Sequence, residues 1–242
     1  MSLCILAVFA HPDDEVLAAG ATIARYARLR HLVHVAILGE GVTSRFGTRQ
    51  NALASAETRE DLNRLRETVA EASRILGVAC CHTYELPDNR FDSVDLLSVI
   101  KIVECLKEQI QPSVVLTHHA GDMNVDHGVV ANAVLTAFRS LPGEPPCQIL
   151  AGEVLSSTDY SIGVPGRAFE PNVWVPVEAV DLQRKKEALQ SYVGEIRPFP
   201  HPRSVEAVEH SARLRGCQCG IEFAEAFRLL RSWGGLPGQI VQ

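Results

Sequence analysis

An apolar run from Leu3 to Phe9 passes directly into Ala10-His11-Pro12-Asp13-Asp14-Glu15, and no other stretch constrains the chain as much. Such a run, ended by Pro and acids, predicts a buried strand, a turn and a helix start, because Asp and Glu are favoured at the positive end of a helix dipole. The acids are therefore expected at the carboxyl end of the strand.

The same alternation continues along the 242 residues. Val16 to Arg30 spaces its apolar residues as a helix does, and Val33 to Leu38 is strand-like. Arg59 to Leu76 is amphipathic and stops at Gly77, and Cys81 to Leu86 reads as a third strand. Asp92 to Gln109 reads as a helix broken by Pro112 ahead of the apolar Val114-Val115-Leu116, with a further helix over Val129 to Leu141. Downstream, strands are expected at Ile149 to Leu155 and Val173 to Val177. Helices are expected at Gln183 to Tyr192, Ser204 to Arg215 and Ile221 to Leu230. Residues 39–58 and 156–172 read as irregular loops able to act as lids. This order predicts one α/β domain over 1–242, with a mainly parallel sheet covered by helices on both faces and its C-terminal helices (about 178–235) packed on the same domain.

The net charge of −6 comes from 23 basic and 29 acidic residues with no basic block, which argues against nucleic acid or an anionic membrane surface and for a small-molecule partner. No apolar segment reaches the roughly 18 to 20 residues a membrane-spanning helix needs, so no membrane insertion is expected. Seven cysteines, several inside apolar segments, point to reduced thiols and a cytoplasmic location. The start carries no Lys or Arg ahead of its apolar run, so no signal peptide is expected. Cys217-Gln218-Cys219 and Cys80-Cys81 have no second C-x-x-C pair and read as core or half-buried thiols. Trp174 and Trp233 read as packing residues, and the apolar C-terminal helices offer a possible homo-oligomer interface.

A second polar cluster, His118-His119-Ala120-Gly121-Asp122-Met123-Asn124-Val125-Asp126-His127, follows the Val114 run. Ligands of open parallel sheets bind outside the carboxyl ends of the strands, so both clusters are expected on one sheet edge. Hydrolytic zinc sites use three His, Asp or Glu ligands and leave a fourth position open. His11 and Asp14, three residues apart, project to one side of a helical turn, while Asp13 points elsewhere and is free to address a water. His127 is the natural third ligand. Asp126 either orients a ligand histidine or caps the helix that follows. Glu15 is expected to support the turn. Arg45 and Arg90, in loops after the second and third strands, and Arg203 and His201, in a proline frame, are candidates for holding substrate.

His-Pro-Asp-Asp-Glu followed by His118-His119 and Asp126-His127 resembles the LmbE-like, or PIG-L, family of zinc-dependent de-N-acetylases. Gly39-Glu40-Gly41, Leu76-Gly77-Val78, Pro87-Asp88-Asn89-Arg90 and His201-Pro202-Arg203-Ser204 extend the likeness. The resemblance implies a Rossmann-like three-layer α/β/α fold, one Zn2+ held by His11, Asp14 and His127, and Asp13 as general base. The implied reaction removes the acetyl group of an N-acetylated amino sugar, releasing acetate and a free amine. Asn124 departs from the pattern: several family members carry a histidine there to stabilise the oxyanion. An amide N–H also donates to an oxyanion, whereas a proton-donating histidine would have to be His118, His119 or His201. The alternatives are a non-catalytic sugar- or nucleotide-binding module and an amidase acting on a low-molecular-weight-thiol glucosaminide.

Overall fold

The computed structural model describes residues 2–234, so the expected span of 1–242 extends past them at both ends, and position 235 of the expected C-terminal helices also lies outside them. Ile5, Ala7 and Phe9 of β1 (Cys4–Phe9) face one apolar layer while Leu6 and Val8 face another, as the two-residue period of a strand requires. All five are at most 2% exposed, so β1 is the centre of the molecule.

Around β1 the sheet runs β3-β2-β1-β4-β5-β7-β6. The strands β2 (Leu32–Gly39), β3 (Cys80–Leu86), β4 (Val114–His118) and β5 (Cys147–Gly152) join β1 in parallel pairing. One face is packed by α1 (Asp14–Arg28), α3 (Ala56–Leu76), α6 (Ala179–Ser191) and α7 (Val205–Cys217). The other is packed by α4 (Leu96–Ile110) and α5 (Val125–Ala137). The result is the expected α/β/α sandwich with a mostly parallel sheet. The chain winds from β1 outward through β2 to β3, then returns to β4 on the other side of β1. That reversal opens a crevice at the carboxyl ends of β1 and β4.

Two expectations of secondary structure are corrected. Ile221 to Leu230 is not a helix: β7 (Ala224–Trp233) is a strand pairing antiparallel with both β5 and β6 (Val173–Pro176). A short apolar run does not distinguish helix from strand by periodicity, and here the two open strand edges decide. The stretch 39–58 is not one irregular loop either. It contains a 3-10 turn at Thr43–Arg45 and the short helix α2 (Arg49–Ala54), and α3 begins at Ala56, ahead of the expected Arg59. Thr48 and Ser55 accept the backbone N–H groups of Asn51 and Thr58, and these caps start the two helices.

Among the described residues no helix is long and apolar enough to cross a membrane. All seven cysteines are free thiols, and Cys80, Cys105, Cys217 and Cys219 are exposed, against the packing role expected of Cys80, Cys217 and Cys219.

Candidate functional site

The turn between β1 and α1 places Asp13 at the helix N-cap with φ 99°, a left-handed conformation that an L-residue adopts at a cost of about 1–3 kcal/mol. Glu15 holds it there. One Glu15 carboxylate oxygen accepts the Asp13 N–H at 3.1 Å and the other accepts the Tyr192 hydroxyl at 2.7 Å. Glu15 therefore supports the turn as the sequence predicts, and burial pushes its carboxyl up to about 7. The same turn folds Asp14 back, so that its Oδ2 accepts the His11 N–H at 2.8 Å.

His127 arrives from the first turn of α5, across the crevice. Its Nε2 lies 3.2 Å from Asp14 Oδ2, and His11 Nδ1 lies 3.2 Å from the same oxygen. One ligand atom from each of His11, Asp14 and His127 falls within 4.8 Å of the others, so the three predicted metal ligands converge. Each imidazole is backed by a carboxylate: His11 Nε2 is 3.0 Å from Asp126 Oδ2, and His127 Nδ1 is 3.2 Å from Asp122 Oδ2. Asp126 is fully buried and also accepts the Phe91 N–H at 2.9 Å, which fixes it beneath His11. Asp122 is fixed by Ser157 and Thr158. Helix capping falls to Asn124, whose Oδ1 accepts the Asp126 N–H.

Buried acids around buried imidazoles make a site that calls for positive charge. Burial alone would lower both histidines, yet Asp126 and Asp14 raise His11 to about 10, and Asp14 and Asp122 raise His127 to about 9. Asp14 is held well below the usual carboxylate range because the two facing imidazoles, with His118, outweigh its burial. The His127 ring nitrogens are buried without a hydrogen-bond partner, although a carboxylate stands beside each. Two imidazoles and a carboxylate, with an orphaned nitrogen among them, are a donor set that fits zinc or a similar divalent transition ion. His11 also groups with Asp88 and Asp126 in the same manner, so Asp88, within the Pro87-Asp88-Asn89-Arg90 stretch that extends the family likeness, belongs to the site.

Asp13 stands apart from these ligands, buried, with its carboxylate 3.1 Å from Arg203 Nη1. Burial pushes its carboxyl well above the usual range, Arg203 pulls it back, and Asp14 adds to the rise. Arg203 is itself held by Ser156 Oγ at 2.6 Å and by Glu195 at 3.0 Å, and Glu195 continues to Arg45 at 2.6 Å. Arg45, Arg203 and Asn124 line the same cavity of about 180 Å3 as His11, Asp13 and His127.

The remaining predicted residues do not line this cavity. Arg90 donates to the backbone oxygens of Thr43 and Phe46 and ties down the 39–58 stretch. His118 is fully buried: its Nε2 accepts the Ala10 N–H at 2.8 Å, and its ring stacks on His127 at 3.8 Å. Burial, with the neighbouring His127, holds His118 well below the usual imidazole range, which makes it a neutral platform. His119 Nε2 lies 2.9 Å from the Arg167 carbonyl oxygen, and His201 Nδ1 accepts the Arg203 N–H at 3.0 Å. Sequence reasoning missed Glu195 and Ser156, since isolated acids and hydroxyls in loops carry no periodic or motif signal.

The family described as "PIG-L: GlcNAc-PI de-N-acetylase" matches residues 6–138, from β1 through α5. The chain belongs to this family. The "Probable N-acetyl-alpha-D-glucosaminyl L-malate deacetylase 2" of Bacillus anthracis is 26% identical over 209 residues, covering 85% of this chain and 90% of that one. Among solved structures, the 4-carboxy-2-hydroxymuconate hydratase GalB of Pseudomonas putida KT2440 matches with a TM-score of 0.72 at 21% identity, over 96% and 98% of the two chains. The N,N'-diacetylchitobiose deacetylase of Pyrococcus horikoshii matches with a TM-score of 0.70 at 16% identity, over 93% and 83%. A hydratase and a deacetylase that share this fold mean that chemistry must be argued from the site. Arg203, Glu195 and Ser156 lie beyond the part of the chain that the family matches.

Proposed function

We propose that this PIG-L chain is a metal-dependent hydrolase that removes the acetyl group from an N-acetylated amino sugar, an N-acetylglucosaminide. The observation that carries the reading is a buried carboxylate, Asp13, beside a convergent His11, Asp14 and His127, in a family of de-N-acetylases. His11, Asp14 and His127 would hold one zinc ion. Bound there, the ion supplies Lewis acidity, which lowers the pKa of water from about 15.7 toward 7 and polarises the acetyl carbonyl.

The protein's own groups do the rest. Asp13, ionised with the help of Arg203, accepts the proton of the attacking water and returns it to the leaving nitrogen, so the C–N bond breaks to give acetate and a free amine. Asn124, Arg45 and Arg203 place uncharged and charged N–H donors on the cavity wall for a developing oxyanion, the Asn124 amide also donating to Asn89 Oδ1 at 2.9 Å. Because Asp13 itself returns the proton to the leaving nitrogen, this scheme requires no histidine as the proton donor.

The decisive experiment measures acetate released from N-acetylglucosaminides, with a malate glucosaminide and a chitobiose among them, by zinc-loaded protein. Activity lost on chelation, restored by zinc, and reduced about 10²- to 10⁴-fold in Asp13→Asn is expected. Full turnover by Asp13→Asn would refute the assigned base. Zinc binding without turnover on any N-acetylated sugar would leave a binding module instead.

A further inference from the structure

A second cluster of metal-ligating side chains lies at the opposite end of the sheet. The β2–β3 register pairs His34 with Cys80, and His82, two residues further along β3, points to the same face because strand side chains alternate. These positions are near the amino ends of the two strands, whereas the PIG-L site is built at the carboxyl ends of β1 and β4. His34 Nδ1 and His82 Nε2 are 3.4 Å apart, and the rings lie 20° from parallel with centroids 5.7 Å apart. One ligand atom from each of His34, Cys80 and His82 falls within 4.8 Å of the others.

These separations match a tetrahedral centre. Metal–nitrogen bonds of about 2.0–2.1 Å set the two nitrogens of a tetrahedral zinc site about 3.3–3.4 Å apart. The imidazoles are half-buried and so restrained, while Cys80 is exposed on an edge strand where solvent can take up its proton. Histidine is largely neutral above its ordinary pKa of about 6.5, so both rings have a lone pair to give at physiological pH. A thiolate with two imidazoles selects thiophilic ions over magnesium or calcium.

We propose that His34, Cys80 and His82 form a second metal site that binds a thiophilic divalent transition ion, zinc first, through two imidazole nitrogens and one thiolate. The fourth coordination position is open to solvent. Binding displaces the Cys80 thiol proton and clips the edge strand β3 to β2. It involves none of the cavity residues, so it stands or falls separately from the proposed deacetylation.

Cobalt(II) tests it, because only thiolate ligation gives a sulfur-to-cobalt charge-transfer band in the near ultraviolet and the PIG-L site contains no cysteine. Titration of the metal-free full-length protein is expected to produce that band with one of two equivalents bound. The band should persist in His127→Ala and vanish in both Cys80→Ser and His34→Ala. Elemental analysis after zinc loading should give one equivalent fewer in Cys80→Ser, with acetate release unchanged. Absence of the band in the unaltered protein would overturn the proposal. So would a band that survives Cys80→Ser, which would place the thiolate at another cysteine. A band lost in Cys80→Ser but kept in both His34→Ala and His82→Ala would reduce the site to a lone thiol and refute it as well.

Discussion

Arg203 Nη1 lies 3.1 Å from Asp13 Oδ2, although 190 residues separate them in the chain. The pair ties the first loop of the sheet to the segment entering α7, and Glu195 and Ser156 fix the guanidinium in place. Without this partner the buried carboxylate would hold its proton still more tightly, because burial penalises the charged form and Arg203 offsets only part of that penalty.

The first prediction follows from that balance. A general base must be ionised to work, and a neighbouring cation lowers its pKa, so removing the cation moves the acid limb of the rate profile toward higher pH. Arg203→Met is expected to shift that limb of kcat/KM upward by about 1 to 3 pH units, and Arg203→Lys to recover part of the shift. If Arg203 only binds substrate, KM will rise while the limb stays where it is in the native enzyme.

Asp126 carries the second prediction. Its Oδ2 is 3.0 Å from His11 Nε2 while Oδ1 accepts the Phe91 N–H, so one carboxylate orients a ligand ring and ties it to the loop after β3. Such partners set the basicity and angle of the ligand. Asp126→Asn is expected to weaken metal binding at the His11, Asp14 and His127 site by about 10- to 100-fold, read by competition with a chromophoric chelator in a Cys80→Ser background. Unchanged affinity would leave Asp126 a loop anchor only.

The sequence made the centre of this fold legible because the physics there is local. In β1, side-chain alternation and burial on both faces follow from seven consecutive residues, Leu3 to Phe9, and the Pro-Asp-Asp-Glu turn follows from the chemistry of a helix start. The convergence of His11, Asp14 and His127 was readable because parallel strands bring their ends to one edge. What was not legible depends on partners far along the chain. Nothing within Ile221 to Leu230 says that β5 and β6 both have an open edge to fill. Likewise Glu195 becomes part of the site only through Arg203 and Arg45, and Asp88 only through its approach to His11 at 3.4 Å. Asn124 was readable as a departure from the family, but its role as the α5 cap required the turn geometry.

The thiols give a third prediction. Burial pushes Cys147 up to about 12 and Cys81 up to about 11, and the thiolate is the reactive form. In metal-free protein at pH 8, an alkylating agent is expected to modify the exposed Cys80, Cys105, Cys217 and Cys219 first and to leave Cys147 intact until the protein is unfolded. Peptide mass spectrometry over a time course reads the order directly. Early labelling of Cys147 would mean that the end of the sheet opens readily at β5.

Lys185 and Glu225 carry the last prediction, which concerns stability. Glu225 projects from β7 to accept the backbone N–H groups of Ala21 and Thr22 in α1, while Lys185 Nζ, from α6, donates to Glu225 at 2.5 Å and to the Leu17 oxygen at 2.8 Å. Both residues are at most 6% exposed, so neither charge has much access to water. Removing one partner leaves the other buried and uncompensated, and with it the backbone groups it satisfied. Lys185→Met is therefore expected to cost about 3–5 kcal/mol in chemical denaturation, far more than loss of a solvent-screened exposed pair such as Arg74 with Glu71. The double variant Lys185→Met, Glu225→Gln should recover part of the loss, because a neutral amide can still accept one of the two α1 N–H groups. If Lys185→Met alone were neutral, the pair would be hydrated in solution and α1 would owe its position to the apolar layer alone.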